Sequence, residues 1–245
     1  MKGLSKQKQK YIQSLHNKKY RQQFGVFLVE GQKSIEELIN SDFVIDELYL
    51  TEKATYLNIN SLQKTYCTED EISKMSSFRS NNFGVAVVKS KNNQIWEESA
   101  EDWILALDDI RDPGNLGTII RIADWYGITK ILCSENTVEF YNPKVISSTM
   151  GSFSRVHCFY TDLKIYLSQT KLPIYGAYLN GDNIHKASFP LQGLLLMGSE
   201  SHGISSELEN LVTNKITIPS FGGAESLNAG VATGVILDNI RSKTQ

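Results

Sequence analysis

The residues of this chain that could do chemistry fall in three short polar stretches, each following an apolar run. The first, Asp108-Asp109-Ile110-Arg111-Asp112-Pro113-Gly114-Asn115, makes a Pro-Gly turn and places Asn115 to cap a helix. Arg121 follows six residues on, with a side chain long enough to face the same crevice. The second stretch runs from Gly198 through Ser199, Glu200, Ser201 and His202 to Gly203. Its two glycines bracket small polar residues, so its backbone can lie close to a ligand. The third is Ile218-Pro219-Ser220-Phe221-Gly222-Gly223-Ala224-Glu225-Ser226-Leu227-Asn228: a strand end, a loop with paired glycines, and polar residues where a helical pattern begins. Side chains and free N–H groups at a strand-to-helix junction suit a small-molecule site.

Several chemistries drop out. The second stretch is no phosphate-binding P-loop, because no Lys-Ser/Thr pair follows Gly203, and it is no GxGxxG turn. A dinucleotide-dependent oxidoreductase would want that fingerprint after its first strand and an acid about 20 residues on. His202 has no Cys or His neighbour and reads as a loop residue. Cys67, Cys133 and Cys158 are odd in number and form no CxxC pair, which argues against a disulfide framework or a zinc site and fits a reducing cytosol. No metal is expected. Taken singly, Asn115 could equally be a plain cap and Arg121 a solvated helix charge.

The elements around these stretches alternate. Residues 6–22 read as a polar helix, 26–29 as a strand, then a helix bearing Ile35, Leu38 and Ile39, a strand over 44–50, a capping box at Thr68–Glu71, and a strand over 83–88. Charged and amide residues over 89–102 read as a linker. Beyond it the pattern restarts with strands at 103–107, 130–133, 173–178 and 194–197 and helices from 115, 143, 163 and 205 or 206. Two domains follow, 1–92 and 93–245, both α/β, the second with a parallel sheet and its loops at the strand C-terminal ends. The last helix carries Val231, Ala232, Val235, Ile236 and Ile240 on one expected buried face, and Gly230 and Gly234 allow close approach of another backbone.

Charge is uneven along the chain. Residues 1–21 hold seven of the 25 basic residues and no acid, which leaves 18 against 27, a net charge of −9, for the rest. Basic residues interleaved with Tyr11, His16 and Tyr20 suit phosphate contacts and base stacking, although a merely solubilising helix would look the same. No apolar run approaches the ~20 residues needed to span a bilayer, and no apolar segment follows the N-terminal lysines as in a secretory signal.

Together, Asn115…Arg121, Gly198…Glu200…Gly203 and Ile218-Pro219…Glu225-Ser226-Leu227-Asn228 resemble the motifs of the SpoU (TrmH-like) RNA ribose 2′-O-methyltransferases of the SPOUT superfamily. Phe27-Leu28-Val29-Glu30-Gly31 is similar to the opening of that family's L30e-like RNA-binding domain. The resemblance implies a deeply trefoil-knotted C-terminal domain, S-adenosylmethionine as methyl donor, and a cytoplasmic homodimer paired through the knot and the C-terminal helix. It implies catalytic roles for Asn115, Arg121, Glu200, Ser226 and Asn228. Cofactor contacts would come from Gly198, Ser199, Glu200, Gly203, Ile218, Pro219, Ser226, Leu227 and Asn228. The implied substrate is RNA, ribosomal RNA of the 23S type first and transfer RNA second, and a catalytically silent RNA-binding protein is a further alternative. Two departures stand out: Ser199-Glu200-Ser201 where the family commonly has Asn-Glu-Gly, and Asn81-Asn82-Phe83-Gly84 where it often has Thr-Pro-Gln-Gly.

Overall fold

The computed structural model describes residues 4–57, 59, 63–78, 80–96 and 103–244. In chain order the first elements are α1 (Lys6–Ser14), α2 (Lys18–Phe24), β1 (Val26–Glu30), α3 (Gln32–Ile39), β2 (Ile45–Leu50), β3 (Lys64–Tyr66), α4 (Glu69–Met75) and β4 (Gly84–Lys89). There follow β5 (Trp103–Leu107), α5 (Pro113–Trp125), β6 (Lys130–Cys133), α6 (Pro143–Ser148), β7 (His157–Tyr160) and α7 (Leu163–Gln169). The chain closes with β8 (Ile174–Asn183), β9 (Gly193–Met197), α8 (Ser206–Glu209), β10 (Asn214–Thr217) and α9 (Ala229–Thr244). Among the described residues no helix is long and apolar enough to cross a membrane. Part of the expected linker, residues 97–102, lies outside the described residues.

Two compact units result: the described parts of Met1–Asn92 with Glu139–Ser154, and the described parts of Asn93–Val138 and Arg155–Gln245. The sequence pattern assigns residues 139–154 to the second domain, but here they pack in the first. The reason lies in β1. Its sheet order is β1-β4-β2-β3, with β1 and β2 antiparallel to the central β4 and β3 parallel to β2. Val26 and Leu28 join Ile12 of α1, Leu15 just after it, and Ile72 and Met75 of α4 in one core. Phe27 meets Tyr141 at 4.5 Å and Phe153 at 6.4 Å between ring centroids. Alternate side chains of β1 thus need cover of two kinds, and 139–154 supplies the second, which is why all five residues of β1 are buried.

The single helix expected over residues 6–22 is two. Asn17 takes extended geometry and its side chain caps the Lys19 N–H at 2.9 Å, which starts α2, and Gly25 at φ +64° ends it. The capping box at Thr68 is present, with Glu71 N–H donating to the Thr68 hydroxyl at 3.2 Å and Thr68 N–H to the Glu71 carboxylate at 2.9 Å. The Thr68 N–H, with the Leu4 N–H, holds the Glu71 carboxyl below the usual carboxylate range. Arg21 fixes α2: only 3% exposed, it donates to the Leu15 and His16 carbonyls at 2.9 and 2.8 Å and pairs with Glu139 at 2.7 Å.

The second unit is a six-stranded, all-parallel sheet in the order β10-β8-β9-β5-β6-β7. β5 and β9 lie side by side at its centre, buried throughout. On one face Ile104, Ala106, Leu194 and Leu196 pack with Leu163 and Leu167 of α7 and Leu208 of α8. α9 packs along α5. A Cβ on Gly230 would come within 2.9 Å of Thr118 Cγ2, so the close approach inferred from the glycines is to α5 of the same chain. The buried face of α9 is Ala229, Gly230, Thr233, Ile236, Leu237 and Ile240, whereas Val231 is 51% exposed, contrary to expectation. The stripe drawn at steps of four drifts around the helix, and the contact with α5 selects steps of three and four.

Arg21→Ala removes the donor to a half-buried carboxylate and two carbonyls and should destabilise the N-terminal unit by about 1–3 kcal/mol. Hydrogen exchange of the β1 and β4 amides should quicken while that of β5 and β9 holds; unchanged β1 protection would contradict this account of α2.

Candidate functional site

Because every strand of the second sheet is parallel, the loops after β5, β9 and β10 emerge at one edge. The first begins at Asp108, 7% exposed, whose carboxylate accepts the Ser205 N–H of the second loop at 2.7 Å. Asp109 follows in the left-handed region at φ +60°, its N–H donating to Ser134 Oγ at 2.9 Å and its carboxylate pairing with Arg111 at 2.7 Å. Asp112, not Asn115, caps α5, accepting the Asn115 N–H at 2.9 Å, and Pro113 takes the first helical position. Asn115 therefore sits inside the first turn, and its side chain is left for another partner.

The second loop closes on itself. Ser199 and Gly203 exchange backbone hydrogen bonds at 3.0 and 2.9 Å, and Gly203 sits at φ +67°. A Cβ on Gly198 would fall 2.0 Å from the Gly203 carbonyl carbon and 2.2 Å from Ile204 N, so glycine alone fits. Ser201 Oγ and His202 Nδ1, both exposed, lie 2.7 Å apart. The third loop is open: residues 221–228 are all exposed.

One side chain ties the three together. The Asn228 amide nitrogen donates to Asn115 Oδ1 and to Glu200 Oε1, each at 2.7 Å. Its oxygen accepts the Gly230 and Val231 N–H groups at 3.0 and 3.3 Å, capping α9. Glu200 also accepts the Ala229 N–H at 3.2 Å. The free helix N–H groups expected at this junction are thus capped by the protein itself, since an unpaired donor at a helix start takes the nearest acceptor. What remains for a ligand is the backbone of the loops and the surface they enclose.

The structure brings together Asn115, Glu200 and Asn228, with Gly198, Ser199 and Gly203 in the loop that presents Glu200. Ile218 and Pro219 are half-buried where the third loop leaves β10, and Leu227 and Ser226 are exposed next to Asn228. Among the described residues no hydrogen bond or ion pair joins Arg121 to this cluster. It lies on α5 about 9 Å beyond Asn115 along the axis and roughly 120° round it, exposed. Glu200 holds the loop and α9, not the arginine. The sequence pattern did not single out Asp108 as a link between loops; an acid directly after a wholly apolar strand was the available signal. Among the described residues no group of three or more His, Cys, Asp or Glu could hold a metal ion.

Comparison with known proteins places this geometry in context. The family model described as SpoU rRNA Methylase family matches residues 102–238, and one described as MRM3-like substrate binding domain matches residues 6–85. A 23S rRNA (guanosine(2553)-2′-O)-methyltransferase, RlmP, of Bacillus subtilis is 27% identical over 96% of each chain. A solved TrmH-family protein from Porphyromonas gingivalis is 30% identical over 98% of each chain, with a TM-score of 0.87. An AdoMet-bound rRNA methyltransferase from Sinorhizobium meliloti is 25% identical over 99% of this chain and 97% of its own, with a TM-score of 0.86.

Gly198→Ala must displace the Gly203–Ile204 backbone and should cost about 1–3 kcal/mol, read as a fall in the urea midpoint. Gly222→Ala, with nothing within 4 Å of its Cβ, is the control and should leave the midpoint within error. Equal effects of the two would show that the second loop is not closed as described.

Proposed function

The chain belongs to the SpoU rRNA methylase family, and from that premise we propose that it methylates a ribose 2′-oxygen of ribosomal RNA using S-adenosylmethionine. One observation carries the reading: a single amide, Asn228, draws the three motif-bearing loops to one place at the strand C-terminal ends. The residues present suit the cofactor. Gly198 lets the second loop fold onto its own backbone. Nothing lies within 4 Å of where a Cβ on Gly203 would stand, so bare backbone is open there, and the chain from Ile218 to Leu227 leaves the same edge of the sheet. Gly198, Ser199, Glu200, Gly203, Ile218, Pro219, Ser226, Leu227 and Asn228 would hold it. Large-subunit RNA is favoured over transfer RNA because the Bacillus subtilis relative, whose name gives a 23S rRNA guanosine, aligns across both units.

When bound, the cofactor supplies a methyl group already activated by a neighbouring positive charge. The protein's part is to hold a ribose hydroxyl in line with it and to favour the alkoxide. Arg121 cannot serve as a simple base, since a guanidinium in a protein is a permanent cation with five donors and no acceptor. It is instead a cation with no competing ion pair among the described residues, able to grip the phosphate next to the target ribose or the developing oxyanion. Ser226 and Asn228 orient the nucleotide and the third loop. Asn115 and Glu200 keep Asn228 in place.

The finer features implied by the family follow as part of the same proposal. The C-terminal unit is a deep trefoil knot, a reading supported by the match of residues 102–238 to the SpoU family. The N-terminal unit is L30e-like and binds RNA. Two copies pair through the knot region and α9, which would cover Phe221, Leu227 and Val231, at 96%, 46% and 51% exposure. The enzyme works in the cytoplasm.

Arg121→Ala should lower kcat by at least about 100-fold, the usual consequence of losing one such donor. Calorimetric titration should find cofactor affinity within twofold of the parent. Full activity in the variant would remove Arg121 from the mechanism.

A further inference from the structure

Helix α2 turns aromatic rings toward solvent. Tyr20 and Phe24, 37% and 45% exposed, stack with centroids 6.4 Å apart and planes 14° from parallel. Tyr11 of α1 braces the pair, meeting the Phe24 ring edge-on at 5.3 Å. Lys19 Nζ lies 6.0 Å from the centre of the Tyr20 ring. Lys6, Lys10, Lys18 and Lys19 are exposed, and among the described residues none of them has an ion-pair partner. Lys8 and Arg21, by contrast, are committed to Glu47 and Glu139.

Neither a ring pair nor a few lysines selects a ligand by itself. Together they are the two things an unpaired nucleic acid strand uses: flat faces for its bases and cations for its phosphates. A folded acidic peptide would need the cations only, and a duplex hides its base faces. The cations stand in a stretch without any acid before Glu30, on a chain otherwise net −9, so the charge is gathered here. Arg21 anchors α2 from its buried side, which keeps the rings set before any partner arrives. The α1–α2 corner also lends His16 to a cavity of about 360 Å³, whose walls include Phe78, Asn142 and Lys144. A ring, an amide and an amine are groups that a nucleotide can use.

We propose that α2 is a stacking platform that captures an unpaired stretch of the RNA substrate, with Tyr20 and Phe24 against bases and Lys18 and Lys19 against phosphates. This rests on the reading of the chain as an RNA methyltransferase and says which strand state and which surface it uses.

The test is fluorescence anisotropy of the full-length protein with a short labelled oligouridylate, and with a duplex of matched length, over a range of salt. Tyr20→Leu with Phe24→Leu keeps apolar bulk but removes the rings, and should weaken oligouridylate binding about 10- to 100-fold. Lys18→Ala with Lys19→Ala should reduce the slope of log affinity against log salt by about 1.4, or 0.7 per lost phosphate contact. The duplex should bind more weakly than the single strand and respond little to loss of the rings. Unchanged single-strand affinity in the leucine variant, or no binding by the parent protein, would overturn the platform. S-adenosylhomocysteine titration of the same samples separates the two ideas: a parent protein that does not bind it would sink the methyltransferase reading itself.

Discussion

An asparagine side chain has two donors and an oxygen able to accept twice, and Asn228 uses all four. The donors go to the first turn of α5, which follows β5, and to the loop that follows β9, and the acceptor goes to the helix that follows β10. No other residue type of that size can do the same. Aspartate lacks the donors and would face the Glu200 carboxylate; serine has one donor and less reach. The same pattern fixes which end of the amide is nitrogen, because the reverse assignment would set oxygen against the Glu200 oxygen. Among the described residues, the third loop, exposed from residue 221 to 228, is held against the other two through Asn228 and the neighbouring Ala229 N–H.

The sheet is what makes the junction possible. Parallel pairing of β5 with β9 aligns Leu107 with Met197, so that Asp108 and Gly198 leave the sheet side by side. Asp108 then secures the far end of the second loop through Ser205. Glycine at 198 lets that loop fold onto its own backbone. Each step narrows where Glu200 can be, and Glu200 in turn closes the first turn of α9. The chemistry needs the loops held still more than it needs any reactive group, since a methyl donor of the sulfonium type carries its own activation.

Much of this was legible in the sequence because it depends on local chemistry. The strands 103–107 and 194–197, the capping box at Thr68 and the three polar stretches all lie where their patterns put them. What escaped depended on partners distant in the chain. Asn115 looked like a cap because its type favours one, but Asp112 is three residues ahead and leaves Asn115 for Asn228. Residues 139–154 belong with β1 through Phe27, a contact that no periodicity reports. The short strands β3 and β7 are three and four residues long and at most half-buried, too brief to show alternation. In the sequence Arg21 is one more cation of the basic stretch 1–21, yet burial and Glu139 make it an anchor.

The central claim concerns the bond that is formed, and the alkaline stability of RNA reads it directly. A phosphodiester is cleaved in alkali by its neighbouring 2′-oxygen, so a methyl group on that oxygen leaves an uncut dinucleotide. Total RNA from a strain lacking this protein would be incubated with the protein and methyl-labelled S-adenosylmethionine, separated by size and hydrolysed in alkali. The account predicts label in the large ribosomal RNA, recovered in alkali-resistant dinucleotides. Label recovered in single nucleotides would place the methyl on a base and contradict it.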